Sequence, residues 1–390
     1  MSNLTEEAYS DMPGSECHQG IPNVIKGNLQ TRWEACQQQE YFSCLINIMP
    51  FLGSMAWQVF PLSFLPCPQG LVLSRYEARF RAGADGVILP PYKGSTFRGG
   101  FAGTFRRLVC SDGTGECKKC RLKHSCPYPL VFESEPPPES EVLRSFDAVP
   151  RPFVLEPPPD EKTRYSPGEA FDFTLLLFGR ARNLLPYFVV TLEEFTHRGI
   201  GKGRRPFFLE EIVAVNPLTG VAAVIYRRED RIVRPRDLSV TAEAIWNRAA
   251  GYPVDGLQKI EINFCTPTRI THQGATIHTP EFHTIIRNLL RRVSSLCYFY
   301  HGFLYEAEFP EIIRRACEVH LVRDKTFWVT IGRYSSRQGR RIPLEGFVGR
   351  AVYEGPLAEF LPLLLLGELL HVGKGTVFGQ GKFVLRILAE

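Results

Sequence analysis

The chain has 390 residues, 44% of them hydrophobic, with 46 Lys and Arg against 41 Asp and Glu for a formal net charge of +5. That length exceeds one ordinary core and suits two domains with additions, and the apolar share excludes a globally disordered chain. So mild a positive excess does not identify a nucleic-acid partner by itself; where the charges cluster says more.

Residues 1–54 are polar and without a clear period. They read as a loose appendage or, by preference, as an over-long reading of the gene ahead of a natural start at Met55. Met1–Gly20 holds no apolar stretch, so no secretory leader is expected, and the 11 cysteines are read in a reducing cytoplasm. No membrane span is expected either. Phe360–Leu370 is too short, and the uncharged stretch Tyr41–Ser74 is broken by Asn47, Pro50, Gly53, Gln58, Pro61 and Pro66.

A first domain is expected over 55–215. Leu71–Arg81 alternates apolar and charged residues, as a half-buried strand does. In Gly94–Val109, Phe97, Phe101 and Phe105 recur at helical spacing and Ser95 can cap, which predicts a helix with a basic face. Lys93, Arg98, Arg106 and Arg107 on it are candidate RNA ligands. Cysteines follow as Cys110-x6-Cys117-x2-Cys120-x5-Cys126. A CxxC with two flanking cysteines predicts a closed, structural zinc knuckle of tetrahedral thiolates, with His124 able to replace one ligand and an iron–sulfur cluster as the alternative. Glu135–Pro159 is rich in Pro and Glu and reads as an exposed connection. Ala170–Phe178 reads as a strand and Ala181–Phe195 as a helix with Pro186 near its first turn. A glycine-rich turn follows, with Gly201, Lys202, Arg204 and Arg205 as candidate RNA ligands, then a strand.

Asn216–Ala250 reads as a connection, bounded as 216–255, with a hairpin at Leu218–Gly220. The second domain is expected over 256–390. Lys259–Cys265 alternates like a strand, and Glu281–Phe299 carries Ile285, Leu289, Val293 and Leu296 on one helical face. Phe327–Tyr334 and Gly346–Tyr353 read as paired strands around a basic tip. There Arg333, Arg337, Arg340 and Arg341 offer phosphate contacts, and Tyr334 a base-stacking ring. Pro356–Leu370 is a leucine-rich helix. The chain then enters a loop with four glycines in nine residues, Gly373, Gly375, Gly379 and Gly381, beside Lys374 and Lys382. Such a loop allows close backbone approach to a phosphate. It lacks the Gly-Lys-Ser/Thr of a P-loop and leads into a strand, which disfavours a dinucleotide fold.

Both halves therefore read β-α, an excursion, β, α, glycine-rich loop, β, and the first half's second strand has the least sequence signal. The segments FTHRGIGKGRRPFFL and LLHVGKGTVFGQGKFVL each place a His two residues before the first loop glycine. The expected fold is α+β: tandem ferredoxin-like (βαββαβ, RRM-like) domains with an inserted Cys-rich zinc knuckle.

The terminal loop after its leucine-rich helix resembles the glycine-rich loop of the RAMP superfamily. GRYSSRQGRRIPLEGFVG and KGSTFRGGFAGTFRRLVC, with the cysteines behind it, resemble the CRISPR precursor-RNA processing endoribonucleases within that superfamily. The resemblance spans roughly residues 70–390. It implies metal-independent cleavage of repeat RNA by attack of a 2′-hydroxyl, leaving a 2′,3′-cyclic phosphate. Such chemistry needs a base, an acid and positive charge on the phosphorane. The family's catalytic His often lies in or just before the first helix, where this chain has none. The role passes in this reading to His371, with Lys374 stabilising the transition state and His197 as the counterpart in the first half. His272, His278, His283, His301 and His320 read as surface or core histidines. Two other readings stand: a non-catalytic RNA-binding subunit of a CRISPR effector complex, and a zinc-containing nucleic-acid module outside CRISPR defence.

Overall fold

A computed structural model describes residues 64–113, 116–134, 149–253, 257–335 and 340–388. The predicted extension 1–54, the start at Met55 and the tip residue Arg337 lie outside them, as do the side chains of Arg333, Tyr334, Arg340 and Arg341.

The first half runs β1 (Val72–Ala82), α1 (Gly94–Val109), β2 (Phe153–Glu156), β3 (Ala170–Phe178), α2 (Leu185–His197) and β4 (Phe207–Val215). Its sheet has the spatial order β2-β3-β1-β4 with antiparallel neighbours, and β5 (Ala222–Arg227) extends it beyond β4. A helix α3 (Ala242–Ala250) leads to the second half: β6 (Lys259–Thr268), α4 (Phe282–Leu296), α5 (Phe309–Ala316), β7 (His320–Ser335), β8 (Arg340–Glu354), α6 (Leu361–Leu370) and β9 (Phe383–Ile387). Its sheet repeats the same neighbour order, β7-β8-β6-β9.

Period-two alternation explains β3. Phe173, Leu175 and Leu177 enter the core of the first half, where α1 delivers Phe97, Phe101 and Phe105 and α2 delivers Phe188 and Phe195. Leu176 and Phe178 point the other way, into a buried cluster that also holds Leu73, Val154, Ile285, Leu289, Leu296 and Leu364. At that end the first sheet is thus buried on both faces, and its second face there is shared with the other half. That is why Leu175–Phe178 reads as an unbroken apolar run.

Several expectations are corrected. The connection 216–255 carries β5 and α3; the hairpin turn expected at Leu218–Gly220 is present and joins β4 to β5, with the Gly220 amide donating to the Asn216 carbonyl at 2.9 Å. Within Glu135–Pro159, Phe153–Glu156 forms a wholly buried strand. Four residues between Pro152 and Pro157 are too few to show a period. Helix α2 starts at Leu185, after a 3-10 turn over Gly179–Leu184. Helix α5 was not expected.

Polar contacts join the halves as well. Arg292 on α4, buried, donates to the Leu370 carbonyl at 2.6 Å, with its guanidinium carbon 5.7 Å from the Phe178 ring. The Val72 amide donates to His301 Nε2 at 3.0 Å. Tyr92 donates to the Phe378 carbonyl at 2.7 Å, and Gly94 packs so closely there that a Cβ would stand 1.9 Å from the same oxygen. The start of α1 is therefore docked on the terminal glycine-rich loop.

Candidate nucleic-acid interface

The terminal loop leaves α6 at His371, whose φ of 62° and ψ of 162° are a conformation other residues rarely adopt. Such a backbone costs on the order of 1–3 kcal/mol, so something must hold it. The ring does so. His371 is fully buried, its Nδ1 is 3.0 Å from the Gln380 carbonyl and its Nε2 is 2.8 Å from Glu156 on β2. The second oxygen of Glu156 accepts from Lys382 at 2.7 Å. Burial pushes the Glu156 carboxyl up, but Lys382 and His371 outweigh it and hold it well below the usual carboxylate range.

This corrects the expected role of His371. Both ring nitrogens are engaged and no solvent reaches them, so a 2′-hydroxyl has no route to the ring in this arrangement. Lys382 likewise spends its charge on Glu156. The loop is also less open than a phosphate cradle requires. The amides of Val372, Lys374, Phe378, Gly379, Gly381 and Lys382 all donate within the protein. Gly373, Gly375, Gly379 and Gly381 all have positive φ. At Gly381 a Cβ would lie 1.8 Å from the Val372 carbonyl, so the closure of the loop on itself requires glycine. Lys374 alone of the predicted loop cations stands exposed, its amide donating to the Arg269 carbonyl at 2.8 Å.

The basic helix is also corrected in part. Lys93 is fully buried, with its ammonium on the Asp160 carboxylate at 2.9 Å and on the Asp160 and Pro91 carbonyls. It is a structural cation. Arg98 is sandwiched, its guanidinium 5.4 Å from both the Phe132 and the Phe378 rings. Arg106 lies 5.5 Å from the Tyr128 ring. Arg107 is exposed, at the far end of the helix.

Tertiary structure brings Arg107 together with the first glycine-rich turn. Its pKa is lowered by burial and then by Arg198, with Arg204 adding to the repulsion against the opposing pull of Glu194. Arg198, Lys202 and Arg204 are exposed, and His197 beside them is too. Arg205 donates to the Asp85 carbonyl, and the amide following Gly201, that of Lys202, donates to the Ile88 carbonyl at 3.0 Å. One solvent-facing, mainly cationic cluster results, drawn from α1 and the turn after α2, with Glu194 at its side. Sequence reading found Arg107, Lys202 and Arg204 but missed Arg198.

Cys110, Cys117, Cys120 and Cys126 line a single hollow with Asp112 and Glu116. Burial and Glu133 push the Cys117 thiol up, with Arg106 opposing. Among the described residues, no three His, Cys, Asp or Glu side chains are set to hold a metal ion. The donor chemistry of the four thiols suits zinc.

A further group was read as ordinary surface or core. Thr271–His272 and Ala275–Thr276 form a tight hairpin through Gln273 and Gly274, both at positive φ. His272 on it meets His283 at the start of α4, ring centroids 5.8 Å apart and nearly perpendicular. Burial, His272 and Arg287 push His283 down to about 4, and burial with Arg287 lowers His272.

Residues 262–383 match the family described as CRISPR-associated endoribonuclease Cas6. Over that span the chain is similar to the Cas6 endoribonucleases. The span takes in β6 from Ile262, the His272 hairpin, α4, α5, β7, β8, α6 and the terminal loop as far as Phe383. Residues 69–238 match a second family, described only as an N-terminal domain. An uncharacterized protein of Archaeoglobus fulgidus is 25% identical over 304 residues, covering 76% of this chain and 93% of its own. Among solved structures, a Cas6 product complex shares 14% identity over 81% of this chain and 99% of its own, with a TM-score of 0.48. A partial Cas6-RT-Cas1–Cas2 complex shares 12% over 82% of this chain and 47% of its own, with a TM-score of 0.49. Among the described residues, no helix is long and apolar enough to cross a membrane.

Proposed function

We propose that the chain cuts CRISPR repeat RNA within the precursor transcript to release guide RNAs. The 2′-hydroxyl attacks the adjacent phosphate and leaves a 2′,3′-cyclic phosphate, with no metal taking part. The match of residues 262–383 to the Cas6 endoribonucleases carries this reading. Two ferredoxin-like halves would present RNA to a common surface. Arg107, Arg198, Lys202 and Arg204 supply a cluster suited to phosphates, and the exposed Lys374 supplies a further cation. In this reading the glycine-rich loop places Lys374, and His371 holds the loop to the first half. The four cysteines bind one structural zinc, which would anchor the segment after α1. The protein works in the cytoplasm.

The first experiment incubates the purified chain with end-labelled repeat RNA from the host's own array in EDTA. Site-specific cutting with a cyclic phosphate end is the expected result; no cutting at any site refutes the endonuclease. Elemental analysis is expected to give about one zinc per chain. A metal-free, folded protein overturns the zinc site.

A second reading is a non-catalytic RNA-binding subunit of an effector complex. It is favoured by the absence of a histidine from α1 together with the burial of His371. Tight repeat binding without cutting would select it.

A further inference from the structure

His301, half-buried, and His371, buried, both have hydrogen-bond partners at both ring nitrogens: the Leu296 carbonyl and the Val72 backbone for one, the Gln380 carbonyl and Glu156 for the other. That is what a structural imidazole requires. His272 and His283 differ. Both are partly exposed, and among the described residues neither ring makes a hydrogen bond. Among the described residues no carboxylate contributes to the charge around them. What faces them is each other and Arg287, one turn along α4 from His283 and therefore on the same helical face.

The surroundings are cationic and tied to the terminal loop. Arg269 donates to Thr276 of the hairpin at 3.3 Å, and its carbonyl accepts the Lys374 amide. Lys374, Arg269 and the hairpin thus form one rim, in which Glu345, 3.1 Å from Arg269, is the carboxylate partner. Two imidazoles without acceptors beside a guanidinium, on a hairpin that Arg269 ties to the Lys374 segment, make a place for a phosphodiester, and the pair can move a proton on and off it.

We infer that His272 and His283, with Arg287, form the acid–base site at which this chain breaks the RNA backbone. The inference rests on the endoribonuclease reading above and supplies the catalytic groups that His371 cannot. His283, the more deeply buried ring, takes the proton from the 2′-hydroxyl. The 2′-oxygen bonds to phosphorus as the bond from phosphorus to the 5′-oxygen breaks. His272 gives its proton to the departing 5′-oxygen, so charge and atoms balance without water or a redox partner. Arg287 faces the extra negative charge of the phosphorane. Both rings are held largely neutral in the free protein, which suits the base; the bound phosphate favours protonation of the acid.

The test uses the full chain with the same repeat RNA in EDTA. His272→Ala and His283→Gln are each expected to bind the RNA as the parent does and to cut about 100-fold slower or worse. His272 sits in a two-residue-turn hairpin at the surface, so its replacement does not endanger the fold; circular dichroism checks both variants. Added imidazole is expected to restore cutting by His272→Ala, which loss of a merely structural ring would not allow. Parent-like cutting by both variants overturns the acid–base pair and leaves the endoribonuclease standing. A parent chain that binds but never cuts overturns the endoribonuclease, and the catalytic pair with it.

Discussion

Glu156 shows how one carboxylate can hold two distant segments. It is buried on β2 and takes both His371 and Lys382 from the terminal loop. Replacing it with Gln leaves Lys382 and the strained His371 backbone unsupported. The expected loss is about 3–5 kcal/mol, the range for breaking a buried pair, measured by urea unfolding. The sign of its pH dependence follows from a folded-state pKa depressed below the unfolded value. The stabilisation is complete above the usual carboxylate range and is lost as pH falls through and below it. Glu156→Gln is therefore expected to flatten the acid limb of the stability curve. His283 acts at higher pH. Its folded pKa of about 4 lies below that of a free histidine, so the unfolded chain binds more protons between. Stability should rise with pH from about 4 to about 6.5, and His283→Gln should remove part of that rise.

Elements explain which predicted cations are available. A helix turns its residues through every direction, so Lys93, Arg98 and Arg107 on or beside α1 meet three fates: burial on Asp160, a sandwich of two rings, and solvent. Arg107→Ala and Arg204→Ala are each expected to lower repeat-RNA affinity and to reduce the slope of log affinity against log salt by about one. Filter binding across a salt series checks this. Lys93→Met should leave that slope unchanged while lowering stability by about 1–3 kcal/mol, because it strands the carbonyls and carboxylate around it. Parent-like stability would return Lys93 to the surface.

At the scale of the whole molecule the two halves share a core. Leu73, Val154, Leu176 and Phe178 from the first sheet are buried with Ile285, Leu289 and Leu364 of the second half. Neither half can lose its structure without exposing the other's apolar face, so calorimetry is expected to show one cooperative transition for the described chain. Phe178→Ala should lower it by about 3–5 kcal/mol and keep it single. Two separated transitions would mean that the halves are independent.

Local pattern was enough to place most elements. The Phe97, Phe101 and Phe105 stripe, the Ile285 to Leu296 stripe, the alternation in β1 and the two glycine-rich loops are all written in residues close in sequence, where period and turn chemistry act. The repeated order of the two halves and the resemblance to the repeat-RNA endoribonucleases follow from those same local signals. β2 escaped because four residues between prolines carry no period. What the tertiary structure alone decided is which polar side chains face water. His371 sits beside a phosphate-like loop in sequence, yet Glu156, from 215 residues away, takes its ring into the core. His272 and His283 look ordinary in sequence, yet a two-residue turn brings them ring to ring. Burial and partnership are set by long-range packing, which no window of sequence contains, so the fold was legible and the site was not.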